Sequence, residues 1–138
     1  MHRPISTATQ RAAYNNKVSD VFAPLSSDLD LDRALAASYD SPVIVFKHSQ
    51  SCGASWMAEA SLADGPLPAP VHQLVVQRSR AVSDRLARLV GVRHESPQVL
   101  ILVEGRAAWH TSHAGVTRQR VADAWAKLAG SRRDPMTA

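Results

Sequence analysis

The sequence predicts an α/β fold, with a central mixed sheet of about five strands flanked by about four helices. Short apolar runs typical of strands alternate along the chain with longer segments of helical periodicity. The run Val43–Phe46 is apolar at every position, which is typical of a strand buried on both faces. A chain of 138 residues with 45% apolar side chains is sufficient for one domain with one sizeable core.

The first part of the chain predicts a strand, a helix and the buried strand. Val18–Leu25 predicts a short edge strand, and the Ser-Ser-Asp cluster after it can cap a helix. Apolar residues at helical spacing predict a helix over Leu31–Ser38, which Ser41-Pro42 ends. The strand at Val43–Phe46 follows directly.

The second part of the chain continues the alternation of helix and strand. Helices are predicted from Gly53 to about Ala63 and over Ser79–Val90, with Gly91 as the C-terminal cap of the latter. The other predicted elements are a strand at Val71–Gln77, a strand at Gln98–Val103, a turn at Glu104-Gly105, a partner strand at Arg106–His110 and a helix at Thr117–Ala129. The predicted order is β-α-β-α-β-α-β-β-α.

The two ends of the chain carry no clear structural pattern. Residues 1–17 are polar without a period and predict a flexible arm, and residues 131–138 predict a frayed tail. The predicted domain therefore spans residues 18–130.

Composition argues against several classes of function. The net charge is +4, but the 16 basic residues are spread along the chain and aromatic residues make up only 5%, which argues against nucleic-acid binding. No apolar run is long enough for a signal peptide or a membrane span, and a single cysteine excludes an intramolecular disulfide. His110 and His113 have no third ligand nearby, so no metal site is predicted. We expect a protein of the reducing cytoplasm with no membrane or nucleic-acid partner.

Cys52 lies between the buried strand and the helix predicted from Gly53. The N–H groups and the dipole at a helix N-terminus favour a thiolate, which is the reactive form of cysteine. The carboxyl ends of strands are also where α/β sheets place ligands and chemistry. The alternative is a buried cysteine that packs as a small apolar side chain.

Three longer runs in this order are similar to one known family. They are Pro42–Ser49, Val92–Val99 and Trp109–His113, and they resemble the monothiol bacilliredoxins, redox proteins of the bacillithiol system within the thioredoxin-like superfamily. The resemblance spans about Val18 to Leu128. It implies a thioredoxin-like fold for the predicted sheet and helices.

The resemblance also implies a monothiol reaction. Ser55 stands where dithiol relatives carry the second cysteine of C-x-x-C, and serine cannot form a disulfide. Cys52 would then take a small thiol from protein mixed disulfides and be regenerated by a second small thiol. The implied co-substrate is bacillithiol, with glutathione as the second candidate and no bound cofactor. The implied partners are S-thiolated proteins, and the chain is expected to be a monomer or a weak homodimer.

The same resemblance suggests which residues surround the sulfur. Pro97 is expected to form a cis peptide bond, so that Ser96 offers backbone hydrogen bonds to substrate. Gly53 and Ala54, where the family commonly has proline after the cysteine, are expected to line the site.

Three side chains near the cysteine have roles that the sequence leaves open. Ser55 is either a hydrogen-bond donor to the thiolate or an ordinary polar residue of a first helical turn. Lys47 is expected to act as an electrostatic helper if its side chain reaches round the sheet edge. His94 is expected to contact carboxylates of the small thiol, although a loop of solvated charges is equally consistent.

Two other functions fit parts of the sequence. Cys-Gly-Ala-Ser resembles the Cys-Gly-Thr-Ser of glutaredoxin-like arsenate reductases, but those enzymes place the cysteine close to the chain start and use several arginines. A noncatalytic thioredoxin-fold module that binds peptides in a groove at Pro97 is the alternative from a different class.

Overall fold

The computed structural model describes residues 7–133 and confirms the predicted α/β architecture. The helices are α1 Ala8–Val21, α2 Asp28–Ala37, α3 Gly53–Ala63, α4 Arg80–Val90 and α5 Arg118–Arg133, and a short 3₁₀ turn lies at His113–Gly115. The strands are β1 Phe22–Pro24, β2 Val43–His48, β3 Val71–Val75, β4 Gln98–Val103 and β5 Arg106–Ser112.

The five strands form one mixed sheet in the order β1-β3-β2-β4-β5. Strands β1, β3 and β2 are parallel, whereas β4 runs antiparallel to β2 and β5 antiparallel to β4. Strand β2 is therefore central, and all six of its residues are buried. This position explains why Val43–Phe46 is continuously apolar.

The core lies on both faces of this sheet because side chains alternate along each strand. Ile44 and Phe46 pack against α3 and α5, while Val43 and Val45 pack against α2 and α4. Strand β2 continues beyond the predicted end at Phe46, so the alternation carries Lys47 to the α4 face and His48 to the α3 face.

The N-terminal region differs from the prediction. Residues 8–17 belong to helix α1 rather than to an arm without structure, and the first strand starts only at Phe22. A capping box marks the start of the helix: the Thr7 N–H donates to Gln10 Oε1 at 3.1 Å, and the Gln10 N–H donates to Thr7 Oγ1 at 3.0 Å. These local hydrogen bonds need no apolar period, which is why the pattern of hydrophobic residues did not reveal the helix.

The C-terminal helix also exceeds the prediction, because α5 continues to Arg133 rather than fraying at residue 131. Residues 1–6 of the predicted arm and 134–138 of the predicted tail lie outside the described residues. The helices within the described part of the chain do not combine the length and apolar character needed to cross a bilayer.

Ser38 joins the end of α2 to the hairpin of β4 and β5. Its Oγ accepts the Gly105 N–H at 2.8 Å, and its carbonyl oxygen accepts the Glu104 N–H at 2.9 Å. Glu104 and Gly105 have φ angles of +53° and +75°, as a tight two-residue hairpin turn requires. The predicted turn is thus confirmed, and a buried serine holds it in place.

We predict that Ser38→Ala lowers the free energy of unfolding by about 1–2 kcal/mol, because the Gly105 N–H loses its acceptor. Urea unfolding followed by circular dichroism measures this change. The exposed neighbour Ser41 provides the control, since Ser41→Ala should change stability by less than about 0.5 kcal/mol. Equal effects of the two substitutions would contradict the role given to Ser38.

Candidate active site

Cys52 is the N-cap residue of α3 and is partly exposed as a free thiol. Its backbone is extended, with φ −114° and ψ 118°, and the helix begins at Gly53 as predicted. The sulfur lies one short loop beyond His48, the last residue of the central strand. The structure therefore places the thiol at the carboxyl end of β2 and at a helix N-terminus.

The start of α3 makes the thiol more acidic. The Ser55 N–H lowers the pKa of Cys52 most strongly, partial desolvation opposes it, and the Ala54 N–H and the Ser55 hydroxyl lower the pKa further. The Cys52 side chain makes no regular N-cap hydrogen bond in the structure, but the thiolate is a better acceptor, and these N–H and O–H groups favour it. The net effect is a larger fraction of thiolate at neutral pH.

Ser55 is completely buried and joins the helix to the loop before it. Its Oγ accepts the Ser49 N–H at 3.2 Å, so the hydroxyl hydrogen remains available to the sulfur. The Ser55 hydroxyl lowers the pKa of Cys52, as a donor to the thiolate would. The hydrogen bond from Ser49 also lets Ser55 hold the loop before Cys52 in place.

Trp56 and Gln77 fix the rest of this loop. The Trp56 Nε1–H donates to the Gln50 carbonyl at 2.9 Å, while the Gln50 N–H donates to Gln77 Oε1 at 3.0 Å. The Gln77 amide donates in turn to Ser49 Oγ at 2.8 Å. Gly53 and Ala54 are exposed beside the sulfur, and space is open where a side chain at Gly53 would point.

The second loop of the site contains the expected cis peptide bond between Ser96 and Pro97. Gln98 pairs with Lys47 across β4 and β2, so Pro97 lies beside His48 at the end of the central strand. The Gln98 side chain holds the loop by donating to the Arg93 carbonyl at 3.0 Å. Pro97 is buried, whereas Ser96 is partly exposed.

His113 holds this loop from the other side. Its backbone N–H donates to the Pro97 carbonyl at 2.9 Å, and its Nε2 lies 3.7 Å from Glu95 Oε1. The Ser112 hydroxyl, followed by His113, lowers the pKa of Glu95. His113 also has a φ of +57°, which a residue other than glycine rarely adopts. The structure thus assigns it a supporting role that the sequence did not reveal, while His110 lies exposed on β5.

Lys47 does not act as expected. It is completely buried, and its Nζ lies on the α4 face, where it donates to the Ser83 carbonyl at 3.3 Å and lies 3.4 Å from His94 Nδ1. The condition for its electrostatic role, a side chain that reaches round the sheet edge, is not met, because strand β2 extends through Lys47 and turns this side chain inward. Burial lowers the pKa of Lys47 to about 8.

His94 meets this ammonium group from the second loop. Its Nδ1 also lies 3.1 Å from Ser83 Oγ, so lysine, serine and histidine form one small cluster behind the Ser96–Pro97 peptide. Burial, followed by the positive charges of Lys47 and Arg80, lowers the pKa of His94. The sequence placed Lys47 and His94 at the same site, and the structure brings these two side chains into contact with each other on the α4 side of β2.

The sequence did not reveal two buried polar residues on the α3 face. His48 is 1% exposed, stands edge-on to Trp56 with ring centroids 4.5 Å apart, and has no hydrogen-bond partner for either ring nitrogen within residues 7–133. Burial lowers its pKa, and the charge of Glu59 opposes that shift. Glu59 accepts a hydrogen bond from the Gln73 amide at 2.7 Å. In the sequence, the i, i+4 spacing of Ser55 and Glu59 on an otherwise apolar helix face could have indicated that Glu59 is buried.

Comparison with known proteins agrees with this geometry. Residues 23–121 match the family described as monothiol bacilliredoxin BrxC. The chain belongs to this family. The sequence resemblance is therefore confirmed, and the bacilliredoxin match includes Cys52, Ser55 and the Ser96–Pro97 loop.

Solved structures confirm the thioredoxin fold of this bacilliredoxin. A protein assigned as an oxidoreductase with a thioredoxin fold is 29% identical, with a TM-score of 0.66 over 78% of this chain and 96% of that one. A thioredoxin mutant from Halobacterium salinarum is 20% identical, with a TM-score of 0.60 over 80% and 92%. Thioredoxin f from spinach chloroplast is also 20% identical, with a TM-score of 0.58 over 80% and 95%. Family and fold together support a thiol redox function.

We predict that Ser55→Ala slows alkylation of Cys52 by iodoacetamide at pH 7 about threefold to tenfold, because the thiolate loses a hydrogen-bond donor. The rate measured from pH 5 to 10 should show a higher pKa for the thiol. Ser51→Ala is the control, since this adjacent hydroxyl bonds Ser49 and Gln77 rather than the sulfur. An unchanged pH profile for Ser55→Ala would contradict the donor role.

We predict that the bacilliredoxin gains stability relative to its Lys47→Met variant as the pH rises from about 8 to 10.5. In this window the folded chain has released the Lys47 proton, while the unfolded chain still holds it, so higher pH favours the folded state. The relative gain should reach about 2–3 kcal/mol in urea unfolding. The exposed Lys127→Met provides the control, and a parallel response of both variants would contradict the low pKa of Lys47.

Proposed function

We propose that the chain removes a low-molecular-weight thiol from protein mixed disulfides through Cys52, as a monothiol thiol–disulfide oxidoreductase. The observation that carries this proposal is a partly exposed cysteine at the N-cap of α3 whose pKa is lowered, with the buried hydroxyl of Ser55 one turn further on. Because Cys52 is the only cysteine of the sequence, its mixed disulfide must be resolved by a thiol from another molecule.

The first step transfers the small thiol to the chain. The Cys52 thiolate attacks the small-thiol sulfur of the mixed disulfide, and a bond forms between these two sulfurs as the original S–S bond breaks. The electron pair leaves on the sulfur of the protein substrate, which takes a proton from water. The substrate is thereby reduced, and Cys52 is oxidised to a mixed disulfide.

The second step regenerates the thiol. The thiolate of a second small thiol attacks the outer sulfur of the adduct, which releases Cys52 as a thiolate and forms a small-thiol disulfide. Attraction from the Ser55 and Ala54 amides favours Cys52 as the leaving group, because a more acidic thiol leaves faster. A separate reductase would return the small-thiol disulfide to the thiol.

Family membership favours bacillithiol as the small thiol, with glutathione as the second candidate. Gly53, Ala54 and Ser96 are the exposed or partly exposed groups available to contact the extended substrate, and Pro97 shapes the adjoining backbone. The reducing cytoplasm is the compartment that suits a single free thiol in this cycle. The chain would act as a monomer or weak homodimer on S-thiolated proteins.

The test is the intact mass of the purified protein after incubation with oxidised bacillithiol and, separately, oxidised glutathione. We expect one adduct at neutral pH, no adduct on Cys52→Ser, and release of the adduct by the matching thiol. A protein substrate carrying a bacillithiol mixed disulfide should lose it at the same rate as Cys52 gains it.

Ser55→Cys provides the matched variant for the monothiol step. A thiol at this position should attack the Cys52 adduct from within the chain, so the adduct should be short-lived and an internal disulfide should accumulate. If the unmodified protein forms no adduct with either oxidised bacillithiol or oxidised glutathione, the proposal is contradicted and a peptide-binding module is favoured. A stable adduct on Ser55→Cys would contradict the expectation that a thiol at position 55 can reach the sulfur of Cys52.

A further inference from the structure

Two groups converge on a single ring nitrogen of His94. The Lys47 Nζ lies 3.4 Å from Nδ1, and the Ser83 Oγ lies 3.1 Å from the same atom. A lysine ammonium carries donors only, so Nδ1 must offer its lone pair. A neutral imidazole has one proton, which is therefore on Nε2. Protonation of Nδ1 as well would place two positive charges in contact and remove the hydrogen bond from Lys47, whereas the Ser83 hydroxyl can either donate to Nδ1 or accept from it.

The charges around the ring reinforce this arrangement. No carboxylate among the described residues lies within 4 Å of the Lys47 ammonium. Asp84 lies 3.9 Å from Arg80 on α4, and Glu95 lies 3.7 Å from His113. The more distant charges of Asp84 and Glu95 raise the pKa of His94, but burial and the positive charges of Lys47 and Arg80 act more strongly and lower it. The Lys47 Nζ faces two acceptors, the Ser83 carbonyl oxygen and His94 Nδ1, as suits an ammonium group, and its pKa of about 8 lies above neutrality. A buried positive charge without a close counterion thus stands behind the ring of His94.

The other side of the ring is open. His94 is partly exposed, its Nε2 is not among the nitrogens sealed from solvent, and it has no acceptor in the part of the chain that the structure describes. His94 comes three residues before Pro97, in the loop beside the end of β2. A fixed N–H donor, with positive charge behind it, is therefore presented at the end of the sheet that carries Cys52.

We infer that His94 determines specificity for small thiols that bear a carboxylate, which accepts a hydrogen bond from Nε2–H. Lys47 is the positioning residue that sets this tautomer, and Ser83 helps to hold the ring in place. The inference rests on the proposed function for its ligand. A carboxylate fits because it accepts without donating, and because the charge of Lys47 attracts an anion through the ring.

The tautomer is tested by ¹⁵N NMR of the histidine rings in the full chain at pH 7. His94 should show a protonated Nε2 and an unprotonated Nδ1, and it should take up its second proton at a lower pH than in the Lys47→Met variant. A protonated Nδ1 on the neutral ring, or the same titration in both proteins, would overturn the positioning role.

The ligand is tested by the rate of Cys52 adduct formation with two disulfides. Oxidised glutathione carries carboxylates, whereas bis(2-hydroxyethyl) disulfide is neutral and carries none. The ratio of the two rates should fall about tenfold in His94→Ala, because a hydrogen bond to a charged group is lost. His94→Gln keeps an N–H donor near the position of Nε2 and should hold the ratio within about twofold.

The exposed His110 provides the matched control, since His110→Ala should leave the ratio unchanged. If the unmodified protein reacts but His94→Ala leaves the ratio of the two adduct-formation rates unchanged, this inference is overturned and the proposed function is not. Failure of the unmodified protein to react with oxidised bacillithiol or either of the two disulfides would instead overturn the proposed function, and the ligand assignment with it. Circular dichroism of each variant separates both outcomes from a failure to fold.

Discussion

The burial of β2 on both faces is the constraint on which the rest of the structure depends. Four apolar residues satisfy it at the start of the strand, but the strand continues through Lys47 and His48, which are buried as completely. Burying a charged or polar group costs free energy unless partners compensate it. Lys47 meets this requirement with Ser83 and His94. The loop that carries Cys52 follows the end of β2, and the Ser96–Pro97 loop leads into β4 beside that same end.

Ser55 shows how a one-thiol site differs from a site with two thiols. Its side chain is completely buried and accepts a backbone hydrogen bond from Ser49, so it helps to hold the loop as well as to stabilise the anion. The site therefore keeps the electrostatic advantage of a helix N-terminus without a group that can attack the adduct. The chemistry of regeneration is left to a molecule that arrives from solution.

Features with local causes could be predicted from the sequence, whereas features that depend on distant partners could not. The all-apolar run identified the central strand, and the helical composition of the segment after Cys52 located the N-cap. The orientation of Lys47 was wrong because the strand was ended at Phe46, where the apolar pattern stops. No sequence pattern indicates that Ser83 and His94, 36 and 47 residues away, would let Lys47 remain inside. Glu59 and His48 were missed for the same reason.

Trp56 joins three parts of the site with one side chain. Its ring stands against His48, its N–H holds the Gln50 carbonyl, and 44% of the residue still faces solvent one turn after Cys52. The loop before the cysteine cannot shift without moving the indole or releasing its hydrogen bond. The emission of this one ring should therefore change whenever the loop rearranges, which makes Trp56 a built-in optical reporter of the state of the sulfur.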